Sequence, residues 1–482
     1  MDMLRIGDLE EFALANAALT QADYTEQAVC RRLETPDITH ARAPARQLKV
    51  IEQHDALDVC IRLFLDGNYV STSVASQFLT PKALDTLIAL DLVRLNPSNP
   101  AQCSSPVWLY PTHGAYIASD RETNPEMSPM EMPRDTVYPA IGKNTQRFLS
   151  LLPADSAEDF LELCGGAGAA AIIAAACYAK RAFTYDIAAR STHFAEFNRL
   201  LNGRQNVTAE CGNLYEPAGD RTFDYIVAHP PYVPATGEGF IFKEGGDDGE
   251  FVTRGIVEGL PRYLRPGGQF HCLCSGTDRE EGPFEQRIRR WLGESGDEFD
   301  IILASEGVVS PHSVKRWDEL VARYKITGLF YGSVIIKRRV SRRRPFTLRR
   351  IREKGASYEG TAWLFQTAGL LHAMSADEVM ALRPRVSCQL EFEVHHKWIE
   401  GEFKVTTLEL RIKAPFPRQV HAEPWVIRFL EACDGNRTCT EIVAKLRAGE
   451  ILGEAPIEII AGMVCTMIME GYLLKEHAQT GP

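Results

Sequence analysis

From Asp159 to about Arg339 short apolar runs alternate with glycine turns and with stretches of helical period. The run Phe160 to Leu163 breaks into a glycine-rich turn and then into the alanine-rich segment Ala169 to Ala179. Arg181 to Tyr185 follows as a strand, a helix starts at about Ala189, and Phe223 to Ala228 and Tyr331 to Ile336 read as later strands. Strand, turn, helix, strand is the alternation of a parallel sheet covered on both faces, so the middle of the chain is expected to be α/β.

The flanks carry different patterns. Asp55 to Leu65, Ser71 to Phe78 and Pro81 to Leu90 have helical periodicity, and Val107 to Tyr110 and Gly114 to Ala118 read as strands, an order that suggests a winged helix. Pro125, Pro129, Pro133 and Pro139 between Asp120 and Gly142 exclude a helix or a central strand and mark a linker. Gln389 to Ala414 alternates apolar and polar positions as an antiparallel sheet does, and Trp425 to Leu474 reads as three helices and a short strand. The expected organisation is residues 1–120, a linker at 121–138, the α/β domain at 139–340, a basic linker at 341–356 and a closing α+β domain at 357–482.

Composition changes this picture little. A chain of 482 residues exceeds what one core supports, and 45% hydrophobic with 24% charged residues is the balance of a globular protein. No uncharged apolar stretch reaches membrane-spanning length, and the acidic start is unlike a secretory signal, so a cytoplasmic protein with no membrane partner is expected. The twelve cysteines are scattered, and the closest pair, Cys272 and Cys274, sits in an apolar run without a second pair, so reduced core thiols are expected and no metal. A net charge of -11 argues against a generally basic surface. The local exception is Lys337 to Lys354, with ten basic residues against one acid, a segment able to contact phosphates or to be a solvated exit.

The chemistry concentrates in three passages. In Glu162-Leu163-Cys164-Gly165-Gly166-Ala167-Gly168 the missing side chains let a ligand approach the backbone, and Glu162 is placed to hold a ligand amino group. Asp186 ends the next strand eighteen positions after Gly168, where a carboxylate accepts from the two hydroxyls of a ribose; a helix cap is the plainer role. Both features suit a dinucleotide as well as an adenosyl cofactor. The third passage, His229-Pro230-Pro231-Tyr232, ends an apolar strand at the carboxyl edge of the sheet. Proline fixes the loop so that the Pro230 carbonyl can face a substrate N–H, and the Tyr232 ring can pack on a flat amide or base.

These passages resemble the HemK-type methyltransferases, which include glutamine N-methylating enzymes, and the related adenine-amino methyltransferases. Leu161 to Gly168 corresponds to the family's acidic, glycine-rich loop, Phe223 to Tyr232 to its strand with Asn-Pro-Pro-Tyr, Gly245 to Arg254 to its Gly-Gly-x-Asp-Gly run, and Leu264 to Gly268 to the turn before its fifth strand. The resemblance implies a Rossmann-like class I methyltransferase domain, mostly parallel in its sheet, between small winged-helix-like domains, the last similar to PqqD-like units that hold peptides. It implies S-adenosyl-L-methionine as cofactor, with Thr145, Glu162, Leu163, Cys164, Gly165, Gly166, Gly168, Asp186, Asn213 and Leu214 in its site. It also implies His229, Pro230 and Tyr232 as the catalytic group, acting on an amide or amino nitrogen of a protein or nucleic acid. A peptide-derived or small metabolite, or a scaffold that binds the cofactor without turnover, are the alternatives.

His229 departs from the family, whose motif has Asn or Asp there. A neutral imidazole offers one donor and one acceptor on opposite sides of a ring, and it could instead serve as a general base near neutral pH. A nicotinamide-dependent oxidoreductase is the rival for the glycine turn, but the sequence shows no site for a hydride partner.

Overall fold

The computed structural model describes residues 3–42, 52–123, 125, 128, 130–235, 239–305, 318–340, 343–351, 358–415 and 417–475. Two compact units divide the chain: Met1–Gly296 with Leu303–Val340 and Arg349–Ile351, and Asp297–Ile302 with Ser341–Leu348 and Arg352–Pro482.

The first unit is built on a largely parallel sheet. The strands of this sheet are β1 (Ala157–Leu163), β2 (Ala179–Asp186), β3 (Val207–Cys211), β4 (Phe223–Ala228), β5 (Leu264–Arg279), β6 (Phe299–Ser305), β7 (Ile326–Arg338) and β8 (Thr347–Ile351), of which Phe299–Ile302 and Thr347–Leu348 are counted with the second unit. The sheet order is β8-β6-β7-β5-β4-β1-β2-β3. β1 runs parallel to both β2 and β4, β2 parallel to β3 and β4 parallel to β5, whereas β7 lies antiparallel to β5. Phe160, Leu161, Ile226, Val227 and Phe270 are fully buried, as strands covered on both faces require. Chain order reverses between β1 and β4, and in such sheets the crevice beyond the carboxyl ends at that point is where ligands bind. The fold is α/β and Rossmann-like, as the alternation predicts.

Four helices frame that crevice: α1 (Lys143–Leu149), α2 (Ala169–Cys177), α3 (Ala189–Leu201) and α4 (Phe251–Tyr263).

The N-terminal segment belongs to this same unit. The expected helices occur at Ala56–Cys60 continued by Ile61–Asp66, at Thr72–Leu79 and at Pro81–Ala89, and a hairpin pairs Val107–Thr112 with Ala115–Asp120. Two helices not anticipated precede them, Leu9–Gln21, started by an Asp8/Glu11 capping box, and Glu26–Leu33. The hairpin docks on α3 through asparagines. Asn198 Oδ1 accepts from the Ala118 N–H at 2.8 Å while Nδ2 donates to the Ala118 carbonyl at 3.0 Å. One turn on, Asn202 repeats the pair with Tyr116, at 2.8 and 2.7 Å. The match is geometric: four helical residues rise about 6 Å and two strand residues about 6.7 Å, so amides at i, i+4 meet backbone groups at i, i+2. Beside them Arg190 donates to the buried Asp120 carboxylate at 2.8 Å.

The second unit holds a three-stranded antiparallel sheet, β9 (Glu391–Ile399), β10 (Glu402–Ile412) and β11 (Arg418–His421), with β10 in the middle. Helices Pro424–Ala432, Cys439–Ala448 and Ile457–Met469 follow, then the short strand Leu473–Lys475. That is the order read from the hydrophobic pattern. Among the described residues no helix is long and apolar enough to cross a membrane.

Asn198 also donates to the Ala167 carbonyl at 3.0 Å, so its removal leaves three buried backbone groups unpaired. At about 1 kcal/mol or more per group, Asn198→Ala is expected to lower the unfolding free energy by about 3 kcal/mol, read by urea denaturation.

Candidate active site

A cavity of about 660 Å³ opens beyond the carboxyl ends of β1 to β4, within the range of small-molecule sites. Its floor is the glycine turn. Cys164, Gly166 and Gly168 have positive φ (54°, 54° and 74°), which bends the chain sharply out of β1 and into α2. A Cβ on Gly165 would sit 1.9 Å from Thr184 Oγ1, whereas one on Gly166 would meet nothing within 4 Å. The first glycine therefore lets the turn press on β2, and the second leaves open space on the cavity side.

Two carboxylates hold the turn. Glu162, buried, accepts from the N–H groups of Ala170 and Ala171 at 3.2 and 3.0 Å, which supplies the cap that α2, begun by Gly168, otherwise lacks. Burial raises its pKa to about 7, opposed by those two N–H bonds and by the Thr184 hydroxyl. Glu162 lines the cavity, yet its first duty is to the helix. Asp186 accepts from Gly166 N–H and Ala188 N–H, both at 2.9 Å, with burial raising its pKa against these bonds and that of Ser191. It is not the cap of α3, whose N-cap position is Ala188. A carboxylate has about four acceptor positions, so capacity for ribose hydroxyls remains.

The other expected cofactor residues divide. Thr145, Cys164, Asn213 and Leu214 line the cavity; Leu163 and Gly168 do not. Leu163 is core at the end of β1, and a Cβ on Gly168 would lie 2.9 Å from Ala195, so that glycine serves helix packing.

The opposite wall is His229, Pro230 and Tyr232. The imidazole lies between rings, 5.6 Å from Phe148 and 6.0 Å from Tyr232, with no hydrogen-bond partner among the described residues. Burial lowers its pKa to about 4, so His229 is neutral at physiological pH, which removes the expectation of a general base poised near neutrality. The Pro230 carbonyl likewise accepts no hydrogen bond from the described residues. Tyr232 is held in place, its hydroxyl accepting from Asn144 Nδ2 at 3.0 Å and its own pKa raised by burial.

The sequence marked the Gly245 to Arg254 run but not its role, and it did not show that the proline-rich segment lines the site. Gly245 and Gly249 brace the Pro-Pro-Tyr loop: a Cβ on either would come within 2.7 Å of the Pro231 or Tyr232 carbonyl. Gly245 N–H donates to Val233 and Val233 N–H to Lys243, at 2.8 and 3.0 Å. Glu250 anchors the run from below, buried and bonded to Thr277 and Arg287. The segment read as a proline linker forms a wall: Arg134 bonds the Gly239 carbonyl at 3.2 Å, Ile241 N–H bonds the Arg134 carbonyl at 2.9 Å, and Tyr138 packs on Phe242 at 5.0 Å. In the basic segment, Arg338 donates to the Pro261 and Leu264 carbonyls, Arg343 pairs with Asp300 and Arg349 with Asp278 and Glu285. Its residues 341, 342 and 352–354 lie outside the described residues.

The fold is that of a Rossmann-like domain with its cavity at the switch point of the sheet, and its middle segment resembles methyltransferases. Residues 138–287 match the model of the methyltransferase small domain. The ribosomal protein uL3 glutamine methyltransferase of Bradyrhizobium diazoefficiens is 31% identical over 157 residues, 30% of this chain and 49% of that protein. The release factor glutamine methyltransferase of Geobacter sulfurreducens is 41% identical over 73 residues, 13% of this chain and 26% of that one. The chain thus spans about half the length, or less, of these two relatives. Among solved structures, the ribosomal protein L11 methylase of Lactobacillus delbrueckii subsp. bulgaricus is 20% identical, with 41% of this chain and 81% of that chain covered at a TM-score of 0.26. The matched segment is similar to the HemK-like glutamine methyltransferases, and methyltransferases of this class use S-adenosyl-L-methionine.

The residues present fit that cofactor: an open backbone at Gly166 and a partly used carboxylate at Asp186 stand on one wall. Replacing Asp186 removes charged acceptors worth about 1.5–3 kcal/mol, so Asp186→Ala is expected to weaken S-adenosylhomocysteine binding about tenfold or more in calorimetric titration.

Proposed function

We propose that this protein is an S-adenosylmethionine-dependent methyltransferase acting on the side-chain amide of a glutamine in a protein substrate. The observation that carries the reading is the pair of unpartnered acceptors on one wall, the Pro230 carbonyl and the neutral His229 ring, beside the face of Tyr232. A primary amide presents two N–H donors in one plane. One goes to the Pro230 carbonyl and the other to the ring nitrogen of His229 that faces the cavity, while Tyr232 packs on the amide plane. His229 thereby fills the acceptor role of the Asn of related motifs. When bound, the cofactor supplies a methyl group on a positively charged sulfur, a good leaving group. The protein's part is to hold the amide nitrogen in line, to exclude water with the Arg134 to Phe242 wall, and to take up the proton that the methylated nitrogen must lose. A base of pKa near 4 suffices for that proton, because a nitrogen-protonated amide is far more acidic.

Arg338, Arg343 and Arg349 are engaged within the chain, which favours a protein over a nucleic-acid substrate. The strand and helix order of residues 391–469 also supports the winged-helix-like reading of the C-terminal part, a unit suited to presenting a peptide.

His229→Ala is expected to lower the rate of methyl transfer to a glutamine peptide about 100-fold with S-adenosylhomocysteine affinity unchanged, and His229→Asn to retain most of the rate. Loss of cofactor affinity in the alanine variant would place His229 on the wrong wall. The pH profile supplies a second test. Protonation removes the His229 acceptor, and its pKa is depressed, so the rate should be flat between about pH 6 and pH 8 and fall only as pH approaches 4. A falling limb centred near 6.5 would contradict the depressed pKa of the imidazole.

A further inference from the structure

The chemistry above makes no use of the sheet β9-β10-β11. Strand alternation gives it two unlike faces. Phe392, Val394 and Trp398 of β9 share one face with Phe403 and Val405 of β10, as the cross-strand pair Trp398↔Phe403 and its 5.0 Å ring contact show. This face is uncovered: Trp398 is 60% exposed and Phe403 70%. Glu393, His395 and Lys397 alternate onto the other face, with Glu409 and Arg411 of β10. β9 is the edge of the sheet, nine residues long and without proline. A long exposed edge strand bearing an apolar row is a template for another strand, and soluble proteins cover or charge-block such edges.

The residues of β9 specify what covers it. Laid antiparallel against its own copy with the two-fold axis at His395, the strand sets Glu393 opposite Lys397 of the second copy, and Lys397 opposite its Glu393. The same register sets Phe392 opposite Trp398 twice on the apolar face. Moving the axis to Val394 would leave Phe392 against His396, and moving it to His396 would set Glu393 against Ile399. Only the axis at His395 joins both the charge pairs and the aromatic pairs. Lys397 is exposed and has no ion-pair partner in its own chain among the described residues. Glu393 meets Arg411 at 2.8 Å through one carboxylate oxygen, and its other oxygen lies no closer than 3.9 Å to the His395 ring. The free cation and the half-engaged carboxylate complement each other across the seam.

We propose that two copies of this chain associate through their β9 edges, antiparallel and two-fold about His395, joining two three-stranded sheets into one of six strands. The proposal is independent of the methyltransferase reading, since no residue of the cavity takes part.

The test is sedimentation equilibrium of the full chain, with circular dichroism to confirm that each variant is folded. Wild type is expected to dimerise. Glu393→Lys and Lys397→Glu should each weaken the dimer about tenfold or more, because each sets like charges opposite one another twice. An equimolar mixture of the two variants should restore a dimer. In the mixed pair the lysine introduced at position 393 of one chain faces the glutamate introduced at position 397 of the other, and the two unchanged residues also pair. Trp398→Ser, at an exposed position, should weaken the dimer without loss of fold. A wild type that stays monomeric, a dimer indifferent to Lys397→Glu and Trp398→Ser, or a mixture that fails to restore association would each overturn the proposal.

Discussion

Five residues between β1 and α2, Cys164 to Gly168, must hold a strained backbone with three positive φ angles, and three polar side chains from three elements keep them there. Glu162 of β1 gathers the first N–H groups of α2, Asp186 of β2 receives the N–H of Gly166, and Asn198 of α3 donates to the carbonyl of Ala167. Glu162 and Asn198 are buried and Asp186 is half-buried at the cavity, so these bonds form where water competes poorly and where their loss leaves an unpaired group. The cavity floor depends on this arrangement. Through Asn198 it also depends on the N-terminal hairpin, because the same amide pairs with Ala118. The N-terminal segment is thus built into the support of the glycine turn that floors the cavity.

The facing wall follows the same logic with different parts. Two prolines stiffen the loop after β4, and the Gly245 to Gly249 run packs its backbone against it at distances that only glycine permits. Glu250, held by Arg287 and Thr277, anchors that run to the core. The result is a wall that leaves the two acceptors at His229 and Pro230 without partners among the described residues and open to whatever donor enters the cavity.

Much of this was legible along the chain. Apolar runs broken by glycine announced the parallel sheet, since strands buried on both faces have little room for polar residues. The Glu162 to Gly168 passage and the His-Pro-Pro-Tyr passage announced the site, because close backbone approach and a fixed carbonyl each require particular residue types. The alternation in Gln389 to Ala414 announced the exposed hairpin of the second unit. Helix Leu9–Gln21 was missed although its capping box was present, since half of its buried face, Ala15 and Ala18 beside Phe12 and Leu19, is alanine and gives only a weak apolar stripe.

What lay beyond the sequence was decided by long-range contact. That Glu162 caps a helix, that His229 is neutral, and that the proline-rich segment closes the cavity are consequences of burial and of neighbours distant in the chain. A sequence shows which side chains can donate, accept or pack, because these are properties of single residues and of their local period. Which partner each one meets, and how far water is excluded around it, is set only when the tertiary structure brings remote segments together, and the pKa values and free acceptors of the site follow from that.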